Sequence, residues 1–261
     1  MLRAFYSSAT GMRAQELLID NTANNLANVN TSGFKRSQVD FADLLYSTER
    51  AAGSEVAAGQ VAPIGLQIGS GVRVVGTSKV FTPGNVQETG ISTDVAIEGD
   101  GFFKIEMPSG DERFTRDGSF RIDNNGLLVT SEGFVVDGNI TVPNNVSANN
   151  LRIGVDGTVS AIADGTSVSL GTLPLYRFVN PMGLQSEGGN LYAATPASGD
   201  AEVGISGDNV GMLRQGFIEG SNVEVVRELV SLITAQRAYE INSRAIQAGD
   251  EMLSNTAQLT R

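Results

Sequence analysis

The chain has 261 residues, 41% of them hydrophobic, with no Cys, no His, no Trp and a formal charge of -11. Lacking Cys and His, it has no thiolate nucleophile, no disulfide framework and none of the side chains that most often hold zinc, copper or haem. The acidic excess is the wrong sign for non-specific binding to nucleic acid, and it keeps a self-associating chain soluble until it assembles.

The first predicted element spans 1–33. Leu2, Phe5, Ala9, Met12, Ile19, Ala23 and Leu26 step by threes and fours, with Glu16 the break in the seam, which predicts an amphipathic helix. Gly11 is its weak point, costing about 1 kcal/mol relative to Ala. Asn21 and Asn25 are four apart, as are Asn24 and Asn28, so each pair shares a face. Asn weakens a helix interior. These amides are therefore read as interhelical hydrogen-bonding groups that fix register, with a solvated polar face as the alternative. Asn30-Thr31-Ser32-Gly33 stops the helix. Gly33 is expected at positive φ, Phe34 in an apolar groove, and Lys35 and Arg36 at the negative end of the helix dipole.

A linking segment follows over 34–75. Phe41, Leu44, Leu45 and Tyr46 suggest a short helical turn. Ser47 to Gly71 is rich in Ala, Gly, Ser and Gln, and reads as an extended arm or long hairpin that orders against a neighbour. Gly69-Ser70-Gly71 is a glycine-rich turn: the third glycine of a dinucleotide fingerprint comes late, at Gly76, with no helix behind it.

Over 76–201 the period changes to two, which predicts an inserted all-β domain. Val95-Ala96-Ile97, Phe102 to Ile105, Phe120 to Ile122 and Leu127 to Val129 read as short strands. The last two flank Asp123-Asn124-Asn125-Gly126, a hairpin turn that lacks the distal Glu of a calcium loop. Asp117-Gly118, Glu132-Gly133, Asp137-Gly138, Asp156-Gly157 and Asp164-Gly165 punctuate further strands. Asp94, Glu98, Asp100, Glu106, Asp111 and Glu112 offer carboxylate pairs for glycoside hydrolysis. No aromatic platform lies beside them in sequence, so they are read as turn and surface groups and the chain as no enzyme.

A Gly-rich return linker is expected over 202–220, then a helix over 221–261 capped by Ser221 or Asn222. Val225, Leu232, Tyr239, Ile246 and Leu253 recur every seven residues, the pattern of helices that wrap around each other. This helix is roughly 55 Å long at 1.5 Å per residue. The fold class is α+β: long N- and C-terminal helices paired in coiled-coil fashion, with an inserted β domain and an extended arm or hairpin. No run approaches a membrane span, no cleavable apolar signal is evident, and no cofactor is expected. Two terminal helices that each need a partner point to an assembly subunit.

Three separated motifs carry a family resemblance. Ala23-Asn24-Asn25-Leu26-Ala27-Asn28-Val29-Asn30-Thr31 with Gly33-Phe34-Lys35-Arg36 resembles the N-terminal signature of bacterial flagellar axial proteins, the rod, hook and hook-associated subunits. Asn222 to Leu229 with Gln236-Arg237-Ala238-Tyr239-Glu240 is similar to their C-terminal signature. Gly99-Asp100-Gly101-Phe102-Phe103 and Phe114 to Phe120 resemble the β domain they share. Asp43 to Tyr46, Gly71 to Val74 and Lys79 to Gly90 place the chain nearest the distal-rod branch, with proximal rod or hook-type subunits as the alternative. The resemblance implies a self-assembling helical polymer that forms a hollow, periplasm-crossing drive shaft. Its implied partners are other copies, proximal rod subunits below, hook subunits above, the surrounding periplasmic and outer-membrane rings, and the type III export apparatus that delivers it without a cleaved signal.

Overall fold

The computed structural model describes residues 2–57, 60–138, 140–143, 146–147, 150–163, 166–204, 206–207 and 209–259. Two helices, α1 (Leu2–Ala27) and α2 (Val225–Leu259), flank a β-rich middle, an α+β arrangement. Two compact units arise: residues 1–26, 37–78 and 225–261 form one, and 27–36 with 79–224 form the other.

In the first unit α1 and α2 run in opposite directions. Phe5 lies against Gly249, Gly11 against the Asn242 amide, and Asn25 against Glu228, so positions rise along one helix as they fall along the other. The approach is close at Gly11, where a Cβ would sit 3.0 Å from Asn242 Nδ2 and the amide would have to shift. The strand Ser37–Asp43 pairs with Val72–Lys79, and Tyr46–Arg50 pairs antiparallel with Leu66–Gly69. The expected helical turn around Phe41 to Tyr46 is therefore corrected: Phe41 lies in one strand and Tyr46 opens another. Backbone pairing with a segment farther along the chain, Tyr46 opposite Gly69, outweighs the local apolar cluster, as strand formation commonly does. The Leu44 N–H continues the pairing by donating to Gly71 O at 2.9 Å.

The second unit holds the main core. A seven-stranded sheet runs in the order Arg121–Ile122, Leu128–Val129, Val135–Val136, Phe103–Glu106, Glu112–Thr115, Leu191–Ala193, Gln185–Gly188. The Asn-Gly turn forms the expected hairpin, with Arg121 opposite Val129 and the Gly126 N–H donating to Asp123 O. Asp164-Gly165, another expected turn, lies outside the described residues. Apolar side chains from Val95 to Leu213 fill one core. A second is aromatic, with Phe102, Phe114, Tyr176, Phe178 and Tyr192 in edge-to-face contact, Phe114 and Phe178 at 4.7 Å between centroids.

Two further expectations change. The stretch 202–220, expected as a linker, carries strands: Glu202–Gly204 pairs with Leu175–Arg177, Met212–Gln215 with Val95–Glu98, and Phe217–Glu219 with Val86–Glu88. Its glycines obscured them, since a strand's partner is not visible in the local text. Ser221 and Asn222 do not cap α2. The Asn222 amide accepts from the Arg36 N–H at 2.7 Å and donates to Val80 O at 2.8 Å, stitching strand ends together instead.

Candidate assembly surfaces and the buried signature residues

In the second unit, Gly33 adopts φ 69°, as expected from the helix exit. Its N–H donates to Glu219 O at 2.8 Å, and a Cβ would fall 2.6 Å from the Asp117 nitrogen. The left-handed backbone and this close approach both require glycine. Gly33→Ala is expected to cost about 1–3 kcal/mol from backbone strain alone, read as a lowered urea midpoint; an unchanged midpoint would contradict the packing described.

Phe34 is buried, with the Lys79 ammonium 4.5 Å from its ring centroid. Lys35 departs from expectation. Rather than facing a helix end, it is wholly buried, and its ammonium donates to Glu219 Oε1 at 2.6 Å and to Thr82 O at 2.8 Å. Arg116, also buried, reaches Glu219 Oε2 at 3.4 Å and donates to Gly99 O at 2.8 Å. One carboxylate thus binds two cations and accepts the Gly84 N–H as well. Burial pulls the Lys35 pKa down, while the Glu219 charge opposes that and Arg116 adds to it. Asp100, exposed nearby, also favours both cations in their charged forms. Arg36, half-buried, is held through its backbone by Asn222.

Asn25 does comparable work in the first unit. Its amide donates to Ser37 O at 2.9 Å and accepts from the Ser37 N–H at 2.9 Å, and it lies 3.3 Å from Glu228 Oε2 on α2. Asn24 is exposed and Asn28 half-buried. Along α1, Phe5, Met12, Ile19 and Leu26 are half-buried, Ala9 is exposed, and the Leu2 side chain lies outside the described residues. The fully buried positions are instead Ala14, Thr22 and Asn25.

On α2 the expected seam is half-filled. Leu232 and Ile246 are partly buried, while Val225, Tyr239 and Leu253 are exposed. The positions turned inward are Glu228, Ala235, Asn242 and Gly249, also spaced by seven. In a heptad these two series are the alternating positions of one seam, three and four residues apart, and α1 lies against the one made of small and polar residues. The sequence signal was present, because the second series has the same period, but a hydrophobic scan passes over Glu, Ala, Asn and Gly. Glu219 and Arg116 left no comparable signal, as each stands alone in a strand or loop.

Opposite that inner seam, α2 carries Val226, Val230, Ile233 and Ile241 at steps of four, seven and fifteen from the first, 69% exposed at Val226 and 67% at Ile241. Apolar side chains are therefore left bare on this side of the helix, interspersed with Arg237, Glu240 and Arg244. The ribbon of Tyr46–Arg50 and Leu66–Gly69 is similarly uncovered, with Leu45 89% exposed and Ile64 73%. A lone two-stranded ribbon is marginal in water, and contiguous apolar patches of this kind mark interaction surfaces.

The carboxylates considered for catalysis have structural partners or face solvent. Asp94 is buried and accepts from Thr89 Oγ1 at 2.6 Å, Glu112 pairs with Lys104 at 3.1 Å, and Asp111 accepts from Ser109 Oγ. Glu98 and Glu106 are exposed.

Residues 5–35 match the family described as "Flagella basal body rod protein", 96–161 the "Flagellar hook protein FlgE/F/G D1 domain", and 214–259 the "Flagellar basal body rod FlgEFG protein C-terminal". The chain is 46% identical to the flagellar basal-body rod protein FlgG of Borreliella burgdorferi, each covered over 100% of its length. It is 47% identical to FlgG of Buchnera aphidicola subsp. Schizaphis graminum, over 99% of this chain and 100% of that one. The chain belongs to the FlgG family of flagellar basal-body rod proteins. FlgG of Bacillus subtilis is more distant, at 38% identity over 100% of both chains. The two terminal FlgG-family matches contain the Asn25–Glu228 contact and both members of the Lys35–Glu219 pair. These matched segments thus supply both the buried joints and the exposed apolar face of α2, since Val226, Val230, Ile233 and Ile241 all lie within 214–259.

Proposed function

We propose that this chain is a structural subunit of the distal rod of the flagellar basal body. Copies stack helically into a hollow, rigid shaft that transmits torque from motor to hook and lets exported proteins pass. α1 and α2, paired in coiled-coil fashion, form the inner tube with their neighbours, and the β domain forms the outer wall. The interface residues are those of the helical seams, Leu2, Phe5, Ala9, Met12, Ile19, Leu26, Val225, Leu232, Tyr239, Ile246 and Leu253, with the amides Asn24, Asn25 and Asn28, joined by the outer face of α2. The ribbon around Tyr46 and Leu66 braces adjacent subunits. Proximal rod subunits, hook subunits, the periplasmic and outer-membrane rings and the export apparatus are the remaining partners, and the site of action is the periplasm-spanning rod.

The observation that carries this reading is the bare apolar side of α2. A helix that buries Glu228, Ala235 and Gly249 while exposing Val226, Ile233 and Ile241 is incomplete without another copy. Contacts between different surfaces of identical chains, when the rotation does not close, give open filaments. The test is electron microscopy of the purified chain over rising concentration. Straight, hollow filaments are expected; closed rings of fixed size, or monomers throughout, would reject the reading. Removing Ser47 to Pro63 is expected to leave filaments that bend more readily, and equal stiffness would remove the bracing role.

A further inference from the structure

We propose that a groove along α1 receives the last turns of α2 from a second copy of this chain; the inference rests on the subunit reading above and names one of its contacts. Tyr6, Arg13 and Leu17 line one wall of the groove, and Leu44, Val72 and Arg73 the other, around about 350 Å³. The groove is apolar at its base and basic at its edges. Arg13 and Arg73 are both exposed, and neither has an ion-pair partner among the described residues.

The occupant must be acidic and apolar together, and the end of α2 has that character. Asp250 and Glu251 precede Met252 and Leu253, and the residues from 250 to 258 are exposed, beyond the point where Gly249 lies against Phe5. With Gly249 beside Phe5 and α1 beginning at Leu2, the final turns of α2 run past the start of α1. They cannot fold back into the groove of their own chain. α2 is one continuous helix, and it lies along Gly11 and Asn25, a different face of α1 from Tyr6, Arg13 and Leu17. Groove and helix end are distinct surfaces, so each copy offers one and accepts the other, and the contact repeats from copy to copy.

The absence of native cysteine makes the test direct. Arg73→Cys and Met252→Cys chains are mixed, assembled and oxidised; a disulfide-linked dimer is expected, and a ladder when both changes are in one chain. Normal filaments without the cross-link overturn the proposal, as does an internally cross-linked monomer at high dilution. Arg13→Glu with Arg73→Glu is expected to raise the critical concentration roughly tenfold or more, and adding Asp250→Lys with Glu251→Lys to restore it. A folded charge-reversed chain that assembles normally, or one not restored by the second pair, also overturns it. Should the reversed chain fail to fold, the cysteine pair decides. If the unaltered chain never polymerises, the subunit reading falls and this inference with it; if it polymerises but the cross-link is absent, only this inference falls.

Discussion

Ile233→Asp with Ile241→Asp is expected to abolish polymerisation at concentrations where the unaltered chain assembles, while the monomer stays folded. Both side chains sit on the outer side of α2, 50% and 67% exposed, away from Glu228, Ala235 and Gly249. Changes at exposed positions of this kind alter monomer stability by about 0.5 kcal/mol. Burying an isoleucine between copies contributes about 1.5–3 kcal/mol, and an aspartate in its place adds the cost of desolvating a charge. A loss of about 1.4 kcal/mol at each of two positions multiplies to roughly a hundredfold in critical concentration. Sedimentation across a concentration series reads the effect, and circular dichroism reads the helix. Filaments at the ordinary concentration would mean that this face is not an interface.

Glu219→Gln is expected to destabilise the second unit by about 3–5 kcal/mol, because it leaves buried cations without their counter-charge. The carboxylate is wholly buried, with Lys35 at 2.6 Å and Arg116 at 3.4 Å, and both cations are buried with it. Glutamine keeps the shape and can still accept the Gly84 N–H, so the change isolates the charge. The measurement is the urea midpoint of the full chain, followed by a probe in the β unit. Replacing all three together, Lys35→Met, Arg116→Met and Glu219→Leu, is expected to recover most of the loss, since a buried ion group contributes little net stability against apolar groups of similar volume. An unchanged midpoint in Glu219→Gln would mean that the cations are not dependent on this carboxylate.

The burial of Lys35 bears on how a signature should be read. Gly33-Phe34-Lys35-Arg36 looks like an ordinary helix exit with two exposed cations. In the fold, glycine supplies a left-handed turn against Asp117, and the lysine reaches a glutamate supplied from position 219. A chain-local reading identifies the turn because a turn is a local event. It has no access to the partner of a buried charge, which comes from a strand far along the chain.

What the sequence determined by itself was the two helices, one tight turn and the family motifs, each carried by short-range physics. The 3.6 and 3.5 periods placed α1 and α2 within a few residues, Asn125-Gly126 placed a hairpin, and the motif order placed the family. The tertiary structure alone decided which stripe of α2 turns inward. Both seven-residue series have the right spacing, and the one turned toward α1 sets Asn242 against Gly11, Glu228 against Asn25 and Gly249 against Phe5. Likewise, strands at Phe41, Met212 and Phe217 exist because distant segments supply their hydrogen-bond partners. A helix closes its hydrogen bonds within its own few turns and so writes itself into the local sequence, whereas a strand or a buried ion pair is completed by residues that the local sequence does not contain.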